Sequence, residues 1–420
     1  MRKAKNIFDN IDMISILLYI ILVLFGIVNI YASQYNDDTK FAINLASRYG
    51  KQILFVCISA FTAFIILIID WKFFYSLTYI FYILIALLLV WVLFQGAITG
   101  GASSWFELGT FKFQPSEFAK FITALALARY YNNLHSKQIP TSEKIKTYSI
   151  ILLPFLLIIL QNDLGTALVF TGFIFVLYRE GLSGNILIFG LIIGILFLLS
   201  LLIEKLLLSI IISGIIIILI LLLRKKKKVI IALFSLLLIT ISFIFSVNYI
   251  FNNVMAPHHR TRINILLGKE LDPHGAGYNL IQSKIAIGSG GFSGKGFLNG
   301  TQTRFDFVPE QSTDFIFCTI GEEWGFLGSL FFILVFIGLI LRILFLAERQ
   351  RSNFSRIYGY SVATILFMHF FINIGMTIGL MPTIGIPLPF ISYGGSSLLG
   401  FTILLFIFLN LDSYRLQILR

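Results

Sequence analysis

The sequence predicts an all-α, polytopic membrane protein, and three observations predict it. The first is composition: of 420 residues, 58% are hydrophobic and only 12% charged, with a mean hydropathy of +0.91. Soluble domains carry roughly 25% charged residues, so this chain lacks the polar groups that cover a water-facing surface. The second is a series of apolar runs near the ~20 residues that cross a bilayer. Inside lipid a chain must satisfy its own backbone, which selects helices. The third is charge, which segregates onto alternate loops.

Taken in order, about twelve spans are expected at 13–32, 52–70, 74–95, 117–133, 147–161, 164–179, 184–203, 206–223, 229–250, 315–342, 357–380 and 394–411. The first, Met13 to Ala32, follows Arg2, Lys3 and Lys5. It is longer than a secretory apolar core and has no small-residue cleavage site, so it is expected to be retained. Gln161-Asn162-Asp163 separates the fifth span from the sixth, being too polar for an uninterrupted lipid-facing helix. Cys57 and Cys318 both fall in spans and suggest neither a disulfide framework nor a metal site. Residues 1–420 are expected to form a single integral membrane domain, with 251–314 as one large loop within it.

With a cytoplasmic N-terminus, the inner segments hold 20 of the 32 Lys and Arg but only 7 of the 20 acidic residues. The formal net charge of +12 therefore reflects orientation in a membrane, and nothing favours nucleic acid. Arg224-Lys225-Lys226-Lys227-Lys228 reads as an anchor at anionic headgroups. Both termini are then cytoplasmic, and loops 96–116, 251–314 and 381–393 lie outside.

Those three loops carry the candidate chemistry. In the first, Trp105 precedes Gln114-Pro115-Ser116-Glu117, good helix-start residues. Lys120, one turn further in, pairs with Glu117 at i, i+3, and a charged pair inside a span is expected to face a cavity. Asp163 either caps the sixth span or lines a cavity as an acid that orients a substrate or basic partner. The long loop offers the cations Arg260, Arg262, Lys269, Lys284, Lys295 and Arg304, any of which suits a headgroup or a pyrophosphate. Its glycines at Gly288-Ser289-Gly290-Gly291 and Gly294-Lys295-Gly296 would let backbone approach a phosphate, though without the spacing of a nucleotide loop. The loop ends Pro309-Glu310-Gln311-Ser312-Thr313-Asp314, directly before apolar Phe315-Ile316-Phe317. Asp314 is either an N-cap or a general base, and a base needs a hydroxyl in reach and the apolar setting that these phenylalanines supply. Glu322 and Glu323 follow deep in the span, expected to pair with basic groups on other helices. The third loop, with Pro382, Pro387 and Pro389, cannot be helix throughout and reads as architectural.

Together these blocks resemble the SEDS family of cell-wall polymerases. The resemblance is carried, in family order, by Trp105 with Gln114-Pro115-Ser116-Glu117-Phe118-Ala119-Lys120, Asp163-Leu164-Gly165-Thr166, Gln282 to Gly290, Pro309-Glu310 with Thr313-Asp314-Phe315, and Pro387 to Ser397. Gly294-Lys295-Gly296 and Gly385-Ile386-Pro387-Leu388-Pro389 are similar to its RodA branch. The resemblance implies a ten-helix core, against which this chain carries an extra hairpin around 184–228, and Asn162 stands where the family usually has Pro. It implies a peptidoglycan glycosyltransferase that polymerises lipid II outside the bacterial cytoplasmic membrane during cell elongation and releases undecaprenyl pyrophosphate. Asp314 matches the family's essential acid and Trp105 its loop tryptophan. Glu117, Lys120, Asp163, Arg260, Arg262, Lys284 and Glu310 are the expected substrate-binding residues. A divalent cation, Mg2+ or Mn2+, would be bridged by substrate pyrophosphate, since no metal-ligand spacing is present. A class B penicillin-binding protein, the transpeptidase, and other elongation-complex membrane proteins are the implied partners. The rival class is a lipid II flippase, which broken helices and intramembrane charges also suit.

Overall fold

A computed structural model describes residues 10–35, 47–99, 102–109, 111–134, 141–223, 227–255, 257–269 and 277–415. Gly100, Gly101, Gly275 and the first three residues of the basic run, Arg224, Lys225 and Lys226, lie outside these residues. Every expected span falls on a helix. In chain order these are α1 (Met13–Ala32), α2 (Arg48–Ile68), α3 (Trp71–Gln95), α4 (Pro115–Asn132), α5 (Thr141–Leu160), α6 (Leu164–Thr171) and α7 (Phe173–Arg179). There follow α8 (Gly184–Leu202), α9 (Lys205–Leu222), α10 (Lys227–Tyr249), α11 (Pro257–Leu266), α12 (Tyr278–Ser289), α13 (Thr301–Arg304), α14 (Ile316–Glu348), α15 (Asn353–Thr377) and α16 (Gly395–Ser413).

Nine helices among the described residues are long and apolar enough to cross a membrane: α1–α3, α8–α10 and α14–α16. The chain is a multi-pass membrane protein. The remaining three spans fall short for visible reasons. Glu117, Lys120 and Arg129 dilute α4, while Glu143, Lys144 and Lys146 open α5. The sixth breaks at Gly172 into α6 and α7, where a Cβ would lie 2.5 Å from the Met368 side chain, so glycine lets α15 pack close.

The first loop departs from the all-helical expectation. It folds as a small antiparallel sheet, β1 (Ala97–Thr99), β2 (Ala102–Leu108) and β3 (Phe111–Phe113), in that order. The Ser103 N–H donates to the Gln161 carbonyl (3.0 Å), and Ser396 Oγ donates to the Lys112 carbonyl (2.8 Å).

Contacts sort the chain into two compact units, Met1–Glu180 with Tyr278–Arg420, and Gly181–Gly277. In the first, α4, α15 and α16 form the interior, with 67% and 72% of the α15 and α16 windows buried. The second consists of α8–α10, a π-helical turn at Ile250–Val254, and α11. Its long helices present apolar faces outward, as a hydrocarbon solvent allows. Asn248 Nδ2 donates to the Ser200 carbonyl (3.3 Å) and Lys269 Nζ to the Leu201 carbonyl (2.5 Å).

Candidate active site

Asp314 sits in a tight turn just ahead of α14. The Thr313 and Phe315 N–H groups both donate to the Glu310 carbonyl, at 3.2 and 3.1 Å. The helix opens at Ile316 with no side-chain cap, so the N-cap reading of Asp314 does not apply. Three successive carbonyls of the turn are gripped from outside it. The Tyr393 N–H donates to Ser312 (2.8 Å), Ser392 Oγ to Thr313 (2.6 Å), and Asn373 Nδ2 to Asp314 (2.8 Å). Two of these donors lie in the proline-rich third loop, which confirms its architectural role. That loop also approaches the carboxylate: a Cβ on Gly385, at φ +76°, would lie 3.1 Å from Asp314 Oδ2. Glycine is needed there both for the left-handed backbone and for the space. Asp314 itself is half-buried.

Arg48, at the head of α2, donates from Nη1 to Ser312 Oγ (2.8 Å) and is otherwise exposed. Its charge acts on Asp306, whose backbone is also left-handed (φ 55°). Partial desolvation pushes the Asp306 carboxyl up from its ordinary range; Arg48 opposes that shift and Glu310 adds to it.

A second polar centre is buried between α4, α6 and α15. Lys120 Nζ lies 2.8 Å from Glu117 Oε2, 2.8 Å from His369 Nε2 and 4.4 Å above the Phe401 ring. Glu117 and Lys120 are each 2% exposed and His369 is fully buried. The expected pair is therefore present, enclosed by protein in this structure. Asp163 is the N-cap of α6 that one reading asked for. Its Oδ1 accepts the Thr166 N–H (3.0 Å) as an N-cap, and its Oδ2 accepts Gln114 Nε2 (2.9 Å) and Ser116 Oγ (3.2 Å). The left-handed Asn162 (φ 59°) makes this turn, a conformation Asn tolerates better than most residues.

The third centre corrects an expectation. The loop glycines approach α14 itself. At Gly325 (φ 66°, ψ −159°) the helix is broken, and its freed groups pair with the Gly-rich segment. The Lys295 and Gly296 N–H groups donate to the Glu322 and Glu323 carbonyls (3.0 Å each), while Phe326 N–H donates to Gly291 O (2.9 Å). A Cβ at Gly290 would stand 2.0 Å from the Gly321 carbonyl oxygen, and one at Gly294 2.2 Å from that of Glu323. Glu322, fully buried, meets Lys295 Nζ (2.7 Å), the hydroxyls of Thr301 (3.3 Å) and Thr303 (2.7 Å), and the N–H groups of Gln302 (2.9 Å) and Thr303 (2.8 Å). Glu322 thus has a basic partner, but Lys295 comes from a loop and not from another helix.

The other expected residues are placed separately. Trp105 stands half-exposed in β2 opposite Ala97. Lys284 is exposed on α12, its stem against Gly379 at the end of α15. Glu310 is exposed, its Oε2 accepting Thr313 Oγ1 (2.7 Å). Arg260 and Arg262 lie on α11 of the second unit, where Arg260 Nη1 donates to the Asn252 carbonyl (3.1 Å). Among the described residues no three His, Cys, Asp or Glu side chains gather as a metal site, so the residues present do not fit a protein-held cation. Sequence reasoning missed His369 and Asn373. Their signal was there: two hydrogen-bonding side chains four apart in an apolar helix share a face and need partners.

The FtsW/RodA/SpoVE cell cycle protein family model matches residues 12–207 and 185–417. Peptidoglycan glycosyltransferase MrdB of Escherichia coli K12 is 37% identical over 76% of this chain and 73% of its own. Peptidoglycan glycosyltransferase RodA of Treponema pallidum is 31% identical over 93% of this chain and 94% of its own. A solved chain from work on structural coordination of polymerization and crosslinking by a peptidoglycan synthase complex superposes with a TM-score of 0.70 at 26% identity, over 97% of this chain and 99% of that one. The order of motifs, the helical architecture and these matches agree: the chain belongs to the FtsW/RodA/SpoVE family of cell cycle proteins.

Proposed function

We infer that this chain is a peptidoglycan glycosyltransferase that builds glycan strands during cell elongation, and we propose that Asp314 is its general base with lipid II as substrate. In this reading Asp314 takes the proton from the 4-hydroxyl of an acceptor lipid II. The oxygen attacks the anomeric carbon of the donor strand with inversion, a glycosidic bond forms, and the bond to undecaprenyl pyrophosphate breaks. A pyrophosphate leaving group needs charge stabilisation more than protonation. Lys284, in the same unit as Asp314, is the cation assigned to it, while Lys120 is engaged with Glu117 and His369. A divalent cation would come with the pyrophosphate oxygens, and no step is routed through one. The carrying observation is the turn at Asp314, where three gripped carbonyls fix a half-buried carboxylate beside Gly385.

The Lys and Arg distribution supports cytoplasmic termini and an active site outside the cytoplasmic membrane. The match to a chain of a polymerizing and crosslinking complex supports a class B penicillin-binding protein as partner. The test is polymerisation of purified lipid II in detergent, with and without that partner and a chelator. The parent protein makes glycan strands and Asp314→Ala makes none while remaining folded. Strands of parental yield from Asp314→Ala remove that residue from the mechanism. A flippase would instead move labelled lipid between leaflets and make no polymer.

A further inference from the structure

The buried centre around Lys120 is joined to the Asp314 turn by one side chain. His369 stands in the middle of α15, fully buried, with both ring nitrogens engaged: Nε2 at 2.8 Å from Lys120 Nζ and Nδ1 at 3.1 Å from the Pro387 carbonyl. An ammonium can only donate and a carbonyl can only accept, so the hydrogen bonds fix the tautomer. Nε2 accepts from Lys120, and Nδ1–H donates to Pro387. A doubly protonated ring would have no acceptor to offer the ammonium.

One turn along the same face of α15, Asn373 Nδ2 donates to the Ile386 carbonyl (2.7 Å) and to the Asp314 carbonyl. His369 and Asn373 thus hold the adjacent carbonyls of Pro387 and Ile386. The next residue back is Gly385, whose backbone borders the Asp314 carboxylate. The next residue forward, Leu388, donates its N–H to Ser392 Oγ (2.8 Å), the hydroxyl that grips Thr313. The segment that shapes the Asp314 site is therefore anchored on α15 at two points. One of these anchors is tied to the Glu117–Lys120 ion pair.

We propose that His369 is a positioning residue for this reaction: through its Nδ1–H bond to Pro387 it sets the 385–388 segment against Asp314, with Lys120 holding the ring in the required tautomer. The inference rests on Asp314 being the base. Small displacements of a reacting group cost rate steeply, roughly up to 10²-fold for 1 Å.

Three substitutions separate the ring's two bonds. His369→Asn keeps a donor near Nδ1, His369→Gln keeps an acceptor near Nε2, and His369→Phe keeps the bulk and neither bond. Each is measured for kcat and KM with purified lipid II and for thermal unfolding in the same detergent, beside Asp314→Ala. Expected are a kcat lowered roughly tenfold or more in His369→Phe and His369→Gln, KM within about twofold, and most of kcat restored in His369→Asn. A purely packing role predicts that kcat follows the unfolding temperature and that Asn and Gln behave alike; either result overturns the proposal. If Asp314→Ala is inactive while all three variants keep the parental kcat, this inference alone fails. Full activity in Asp314→Ala would remove both readings.

Discussion

Two acids bracket the start of α14 and are held in opposite ways. At Glu322 the side chain is the anchor: five donors converge on a fully buried carboxylate just ahead of the break at Gly325. At Asp314 the main chain is the anchor, gripped at three consecutive carbonyls by Tyr393, Ser392 and Asn373, while the residue as a whole stays half-buried. A carboxylate saturated with hydrogen bonds is stabilised as an anion and is poorly disposed to take a proton. One held through its backbone keeps its position whatever its side chain meets. The difference agrees with the proposed roles, Glu322 building the molecule and Asp314 working in it.

That contrast is broken or sharpened by three substitutions. The largest effect is expected for Asp314→Asn, which keeps the shape and removes the base. Lipid II polymerisation should fall by about 10²–10⁴-fold, with unfolding temperature in detergent unchanged. Glu322→Ala should do the reverse. It strands Lys295 and the N–H groups of Gln302 and Thr303, so stability should drop by about 3 kcal/mol, read as an earlier thermal transition. The fraction still folded should polymerise at near the parental rate. Stability loss in the first variant and a dead but stable second one would reverse the assignment.

The smallest effect is expected at Asp306, which precedes both acids in sequence, with one oxygen turned in to Gln311 (3.1 Å). Its carboxyl is pushed up by desolvation, so the folded state favours the protonated form. The cost of the charge is absent below the unfolded value and grows as pH rises through the folded one. Asp306→Asn, which suits φ 55°, should therefore unfold slightly later than the parent at neutral pH, with the difference vanishing in acid. A gain that persists unchanged at low pH would point to backbone preference alone.

Hydropathy made the helices legible because a lipid solvent leaves no other way to satisfy an apolar backbone, and spans such as 13–32 and 394–411 fall almost at their observed bounds. The sheet at 97–113 was not legible, since its outer strands of three residues are too short to show alternation and the central Ala102–Leu108 does not alternate cleanly. Asp314 and its flanking residues were visible as a polar turn meeting phenylalanines. What holds that turn was not visible, because Asn373 and Ser392 act from 59 and 79 residues away. The glycines at 290–296 were recognised as places of close approach. Only the folded chain tells that the approaching partner is another stretch of its own backbone. His369 carried a readable signal, a polar ring inside an apolar run, and its geometry gives that signal a meaning.

The break at Gly325 also divides α14 by length. Residues 326–348 alone reach about 35 Å at 1.5 Å per residue, enough to traverse a hydrocarbon layer of ~30 Å. The nine residues 316–324 then form a separate rod of about 14 Å, clasped by the glycine collar where it meets the longer one. The turn at Asp314 thus opens a short rod whose direction the longer helix does not dictate.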